Sequence, residues 1–271
     1  MNVYLERRRV FSCAHRYWNP KRDDAWNAAH FGALTRVHGH NYTLTAAFAG
    51  EVNPLTGIVV NLADVKVWLR DAVVPFEGNS VDAATPIMEG LQPSTENLAQ
   101  ILWRRLAREA AGTPARLARV RVAESEDVHS EYEGDPTVVY VTKSYEFSAA
   151  HRLHSKHLGD EENARIFGKC NHPGGHGHNY GLEVTVKGPI DMETGFAFDL
   201  ARLDAAVQSR VLDSMDHRNL NEDVPQFGPL NPTSENLAVV IWRLLTPDLG
   251  DALHRVRVQE TSRNAFEYLG E

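Results

Sequence analysis

Cysteine is scarce: Cys13 and Cys170 are the only two in 271 residues. That excludes a disulfide framework. A pairing between the two stays open, but free thiols in a reducing cytoplasm are the simpler expectation. Long apolar runs are also missing. Nothing spans a bilayer, and the stretch from Met1 to Val10, with Arg7, Arg8 and Arg9, lacks the apolar core of a signal peptide. Positive charge is not in excess either. A formal net charge of −8 speaks against nucleic acid or an anionic membrane as partner, so an anionic ligand would need a local basic pocket. Hydrophobic residues at 42% and charged residues at 24% are proportions of a globular chain with one large core or two ordinary ones. Histidine, by contrast, is plentiful at 13, and it is clustered.

The chain is one unit written twice. Phe11-Ser-Cys-Ala-His-Arg16 returns as Phe147-Ser-Ala-Ala-His-Arg152, and His38-Gly-His-Asn-Tyr42 returns as His176-Gly-His-Asn-Tyr180. Thr56-Gly57 with Asn61-Leu-Ala63 returns as Thr194-Gly195 with Asp199-Leu-Ala201. Pro93-Ser-Thr-Glu-Asn-Leu-Ala99 returns as Pro232-Thr-Ser-Glu-Asn-Leu-Ala238, and Val120-Arg-Val-Ala-Glu124 as Val256-Arg-Val-Gln-Glu260. Order and offset are kept, and the period is too long for a solenoid, so a duplicated domain is implied. The junction is expected near Glu131–Pro136, giving domains of 1–134 and 135–271, with Val138 to Thr142 opening the second.

Each copy reads as strand, strand, helix, helix, strand. Asn41 to Phe48 and Leu182 to Val186 alternate as half-buried strands do, and Leu200 to Val211 has helical spacing. The last helix opens after a proline, with Thr233 or Ser234 as cap and Glu235 in its first turn. Leu237, Val240, Ile241, Leu244 and Leu245 then make a core-facing stripe. The predicted class is α+β, an antiparallel sheet covered by helices on one face.

His176 and His178 sit two apart at the start of a strand and project from one face. His151 on the preceding strand would stand opposite them. Three neutral imidazoles form the ligand set of a catalytic zinc site with an open fourth position. The same set recurs as His15, His38 and His40. The remaining His30, His129, His154, His157, His172 and His254 have no counterpart and are expected in solvated loops or on the surface.

The second copy adds Cys170, six residues before His176 in a glycine- and proline-rich loop beside Lys169. A thiol so placed near a metal suits a base or nucleophile. Asp216-His217 could shuttle protons, although such a pair is as well explained as an exposed helix end. Glu260 in a late strand could accept paired N–H groups from a guanine-like ring, or simply be solvated.

Together, these motifs with Asp160-Glu-Glu-Asn163, Phe167-Gly-Lys-Cys170 and Val258-Gln-Glu-Thr261 resemble 6-pyruvoyl tetrahydropterin synthases. The resemblance runs through nearly all of the second copy. It implies two tandem tunnelling-fold (T-fold) domains whose antiparallel sheets assemble into a β-barrel, with helices outside and sites between domains. It further implies Zn2+ on His151, His176 and His178, Cys170 as proton acceptor, and Asp216 and His217 completing a triad. Glu260 would anchor a pterin with Thr233 and Ser234. The substrate would be 7,8-dihydroneopterin triphosphate, the product 6-pyruvoyl tetrahydropterin, and the leaving group triphosphate, with no redox cofactor.

The first copy departs from this pattern. It keeps His15, His38, His40 and Glu124, but Leu34 falls where the cysteine is expected and Phe76-Glu77-Gly78 replaces the dyad. Cys13 reads as a packing residue. The first copy is therefore expected to be a structural partner. Two rivals remain: a 6-carboxy-tetrahydropterin synthase releasing acetaldehyde, and a non-catalytic zinc and pterin binding module. A homo-oligomer is expected, with a trimer matching six domains. Lys156, Lys169, Arg152 and Arg218 are the candidates for holding triphosphate.

Overall fold

The computed structural model describes residues 2–271, and Met1 lies outside the described residues. The first repeat opens with two long strands, β1 (Asn2–His15) and β2 (His38–Glu51), joined through the short helix α1 (Asp24–Phe31). They pair antiparallel along their whole length, from Asn2 opposite Glu51 to His15 opposite His38. The period of two sends Phe11 and Cys13 of β1, and Tyr42, Leu44, Ala46 and Phe48 of β2, to the covered face, where all are buried.

Helices α2 (Leu62–Val73) and α3 (Thr95–Ala110) cover that face. Each starts at a side-chain cap, Asn61 accepting from the Ala63 amide and Ser94 from the Asn97 amide. Leu98, Leu102 and Leu106 of α3, at helical spacing, are at most 1% exposed and pack with Val65 and Leu69 of α2 in one core. Full burial of such a side chain contributes about 1.5–3 kcal/mol, so this stripe anchors the helix layer. Between the helices, the two-residue β3 (Ser80–Val81) pairs in parallel with the end of β1. The hairpin β4 (Arg116–Ala123) and β5 (Val128–Tyr132) closes the repeat, β4 pairing with β2.

The second repeat follows the same plan: β6 (Val139–His151), α4 (Asp160–Phe167), β7 (His176–Gly188), α5 (Leu200–Val207), α6 (Asp213–Met215), β8 (Arg218–Asn219), α7 (Ser234–Leu249), β9 (Leu253–Thr261) and β10 (Asn264–Tyr268). Its strands are ordered β10-β9-β7-β6, with β8 parallel to β6. Thr233 is the cap of α7, and Leu237, Val240, Ile241 and Leu245 are buried as the stripe requires. Leu244 is only half-buried.

Several local features differ from the sequence reading, among them the added strands β3 and β5 in the first repeat and β8 and β10 in the second. An extra short helix separates the first two strands of each repeat. The segment Leu200–Val211 is not one α-helix, because a π turn at Gln208–Leu212 follows α5. Glu131 belongs to β5, so the linker is shorter than the run of acidic and turn residues suggested.

Two compact units result. The first runs to Val141 and takes in Lys187–Ala197, the end of β7 and the loop after it, which belong in sequence to the second repeat; the second holds Thr142–Val186 and Phe198–Glu271. Among the described residues no helix is long and apolar enough to cross a membrane.

Candidate metal centres

Strand register builds each histidine cluster. His15 ends β1 directly opposite His38, and Cys13 stands opposite His40. His151 ends β6 beside His176 and His178 of β7. In both clusters the ligand atoms lie within 4.8 Å of one another. The ring centroids repeat closely: 4.4, 5.2 and 5.4 Å in the first, 4.5, 5.3 and 5.0 Å in the second.

A carbonyl fixes the central imidazole in each. His15 Nδ1 is 3.0 Å from the Pro93 carbonyl and His151 Nδ1 is 2.7 Å from the Pro232 carbonyl. Donation there leaves Nε2 with its lone pair toward the cluster. Each centre is backed by a tyrosine, Tyr42 or Tyr180, stacked on Phe11 or Phe147 at 5.3 Å.

The donor set fits a cation. His151 Nε2 and His176 Nε2 lie 3.1 Å apart, and His178 Nε2 is buried without a hydrogen-bond partner. Two ligands at about 2.0–2.1 Å on a tetrahedral ion sit about 3.3 Å apart, close to this spacing. Burial, then repulsion among the rings, lowers the pKa of His151 and His176. Burial brings His15 down to about 4 and also lowers His40. Burial thus favours the neutral form of His15, His40, His151 and His176, the state that ligates metal.

Around the second centre the sequence-predicted residues gather unevenly. Glu260 Oε1 is 3.9 Å from His178 Nε2 and 4.0 Å from His151 Nε2, and it accepts from Ser234 Oγ at 2.8 Å. The carboxylate thus stands between the start of α7 and the histidines. Thr233 Oγ1 accepts the Asn236 amide. Cys170, half-exposed in the turn Gly168–Asn171, is not among the converging ligand atoms. Its carbonyl accepts the Leu153 amide.

Asp216 Oδ2 is 3.0 Å from His217 Nδ1. Hydrogen bonds from the Ser148 amide and from His217 hold the Asp216 carboxyl below its usual range. His217 has φ of 56°, a left-handed conformation uncommon for a residue with a side chain. Its N–H donates to the Ser148 carbonyl, and its ring lines an open concavity of about 520 Å³ with Ser148, His178, Asn179 and Arg218.

In the first repeat the same backbone bonds mark what is absent. Gly78, at φ 73°, donates to the Ser12 carbonyl where His217 donates to Ser148. Leu34 O accepts the Tyr17 amide where Cys170 O accepts that of Leu153. Glu77 pairs with Arg9, and Cys13 is a 5% exposed core residue whose thiol burial pushes up to about 11.

Some expectations change. His129 is 3% exposed and 3.0 Å from Arg121, and the half-buried His154 bonds Asn171; neither is a solvated histidine. The lack of a repeat counterpart did not bear on their burial, which partners elsewhere in the sequence decide. The Arg152 guanidinium is taken up by Asn171, which ties the end of β6 to the turn of Cys170. Ser148 and Tyr180 were not singled out as functional, though both stand inside the duplicated motifs, and that duplication was the available signal.

A sequence model of the 6-pyruvoyl tetrahydropterin synthase family matches this chain twice, over residues 4–135 and 140–271. The 6-pyruvoyl tetrahydrobiopterin synthase of Homo sapiens is 48% identical over 132 residues, 48% of this chain and 91% of that protein. That of Poecilia reticulata is 44% identical over 146 residues, 52% of this chain and 99% of that protein. The solved 6-pyruvoyl tetrahydropterin synthase of Caenorhabditis elegans matches with a TM-score of 0.48 at 43% identity, covering 49% of this chain and 96% of that one.

Proposed function

The chain belongs to the 6-pyruvoyl tetrahydropterin synthase family of lyases, as a tandem of two T-fold repeats, and from that premise we propose that domain 135–271 is a zinc-dependent synthase while domain 1–134 is a structural partner. The reaction is conversion of 7,8-dihydroneopterin triphosphate to 6-pyruvoyl tetrahydropterin with loss of triphosphate. The observation that carries this reading is the coincidence, in one repeat only, of a histidine triad with Cys170, the Asp216–His217 pair and Glu260.

His151, His176 and His178 would hold Zn2+, which supplies Lewis acidity toward oxygen when bound. Glu260 and Ser234, already hydrogen-bonded, present a carboxylate and a hydroxyl to the amino and ring N–H groups of a pterin, with Thr233 beside them. That seating directs the substrate side chain to the triad, since Glu260 is within 4.0 Å of two of its rings. Cys170 takes the side-chain proton, with His217, oriented by Asp216, completing the triad. The first repeat lacks both groups. The protein is proposed to work in the cytoplasm as a homo-oligomer whose exposed edges close a barrel.

Incubation with 7,8-dihydroneopterin triphosphate, with mass spectrometry of the pterin and assay of released triphosphate, tests this. The proposal expects the pyruvoyl pterin. A product two carbons shorter would replace it with the carboxy synthase, and binding without release would leave a non-catalytic module.

A further inference from the structure

Directly after the shared motif that ends in His15-Arg16 and His151-Arg152, the two repeats part: Tyr17 stands where the second has Leu153. The backbone there is the same. The Tyr17 amide donates to Leu34 O at 2.9 Å, and the Leu153 amide to Cys170 O at 2.9 Å. The two side chains therefore leave equivalent points beside equivalent triads.

Their surroundings differ. Leu153 is half-exposed, two residues from the His151 that Glu260 approaches. Tyr17 is 4% exposed, and three rings hold it: His15 at 5.3 Å, Phe31 at 5.6 Å and Phe196 at 5.2 Å. His15 is the central imidazole of the first triad. Burial, and then the charges of Glu124 and Glu96, keep the Tyr17 hydroxyl well above the usual phenol range. Glu124 has the strand position of Glu260. A flat ring packed on aromatic neighbours, against the central histidine and with its donor near that carboxylate, has the layout required of a bound pterin.

We propose that Tyr17 is a built-in occupant of the heterocycle pocket of the first repeat, standing where a pterin is seated in the second. Other polar groups of that pocket are also satisfied from within the chain. Thr95, in the position of Ser234, has its Oγ1 2.7 Å from Ser130 Oγ and donates to Glu96 Oε2 at 3.2 Å. Glu96 Oε1 accepts the Ala197 amide at 3.1 Å. Thr95 and Glu96 are 4% and 3% exposed.

The consequence goes beyond the missing thiol and dyad, which account only for the lack of turnover. A pterin can enter the first repeat only in the fraction of molecules whose Tyr17 ring has swung out, and its apparent affinity falls by that fraction. Substrate is thus not sequestered in a site that cannot convert it, while the histidines remain able to hold a metal.

That the pocket suits a pterin rests on the proposed function, and the two are separated by reading an increment. Zinc-loaded parent, Tyr17→Leu, Tyr17→Ala and Tyr17→Phe are titrated calorimetrically with 7,8-dihydroneopterin, which has no triphosphate to lose. Circular dichroism confirms folding. Tyr17→Leu, which installs the residue of the second repeat, and Tyr17→Ala are each expected to bind one equivalent per chain more than the parent. Tyr17→Phe keeps the ring and is expected to bind as the parent does. Adding Glu124→Gln to Tyr17→Leu should weaken the extra equivalent at least tenfold. A parent that binds none, with an opened variant that binds one, would sink the reading of 135–271 and support that of Tyr17. Opened variants that bind no more than the parent overturn the proposal. So do a parent that already binds two equivalents, a Tyr17→Phe variant that gains one, and an extra equivalent indifferent to Glu124→Gln. Tyr17→Phe, the mildest change, keeps the test alive if the smaller side chains fail to fold.

Discussion

The two repeats hold closely matching histidine triads, each with a prolyl carbonyl and a stacked tyrosine, but differ in the proton-transfer groups near them. The triads come from strand register and a prolyl carbonyl, features on which the sheet itself depends. The thiol and the dyad lie in connections, where Leu34 and Gly78 occupy the same backbone positions without disturbing a strand. Metal-binding geometry is thus tied to the fold, whereas proton-transfer groups are separable from it.

The largest expected effect separates the two triads. His176→Ala should remove one metal per chain and reduce triphosphate release by about a thousandfold or more. His38→Ala should also remove one metal yet keep most of the release. Metal analysis and phosphate assay on the same samples check this, and comparable losses of release in both, with assembly intact, would break the division of labour.

Next, His217→Gly gives the second repeat the residue of the first. Turnover should fall about a hundredfold, while relief of the left-handed backbone raises stability by about 1 kcal/mol in denaturant titration. A variant losing both stability and turnover would mean that the ring is structural.

A third comparison uses pH on the metal-free protein. The folded pKa of His15 is depressed to about 4 from the 6.5 of an ordinary histidine. The unfolded chain therefore binds the extra proton first as pH drops. The contribution to stability, on the order of 3 kcal/mol, is fully present above pH 6.5 and lost between there and about 4. Thermal melts at stepped pH read it, and added Zn2+ should raise stability most where the rings are neutral. A melt flat across that window contradicts a buried neutral His15.

The smallest effect is expected from Cys13→Ala. It should leave release unchanged and cost about 1 kcal/mol for a small core side chain. Loss of release there would make the first repeat a reaction site.

Much of this was legible in the sequence because it is local or periodic. The His-x-His spacing aims two rings at one volume, the alternation around Tyr42 and Tyr180 sets the sheet, and the proline followed by Thr233 announces a capped helix. The duplication made each signal count twice. What could not be read depends on partners far apart in the chain. The burial of Glu96 arises from Ala197, about a hundred residues on. The half-buried state of His154 comes from Asn171 and Asn231, and the left-handed turn of His217 from the bond to Ser148. The helix break after Val207 has apolar spacing that a π turn and an α turn share, so periodicity could not show it.

Cys170→Ala, assayed for metal content and triphosphate release in one preparation, tests the central claim most directly. The account predicts the same metal per chain as the parent protein and a release rate near background. Release at most of the parental rate would contradict it, as would a chain that loses its second metal along with the thiol.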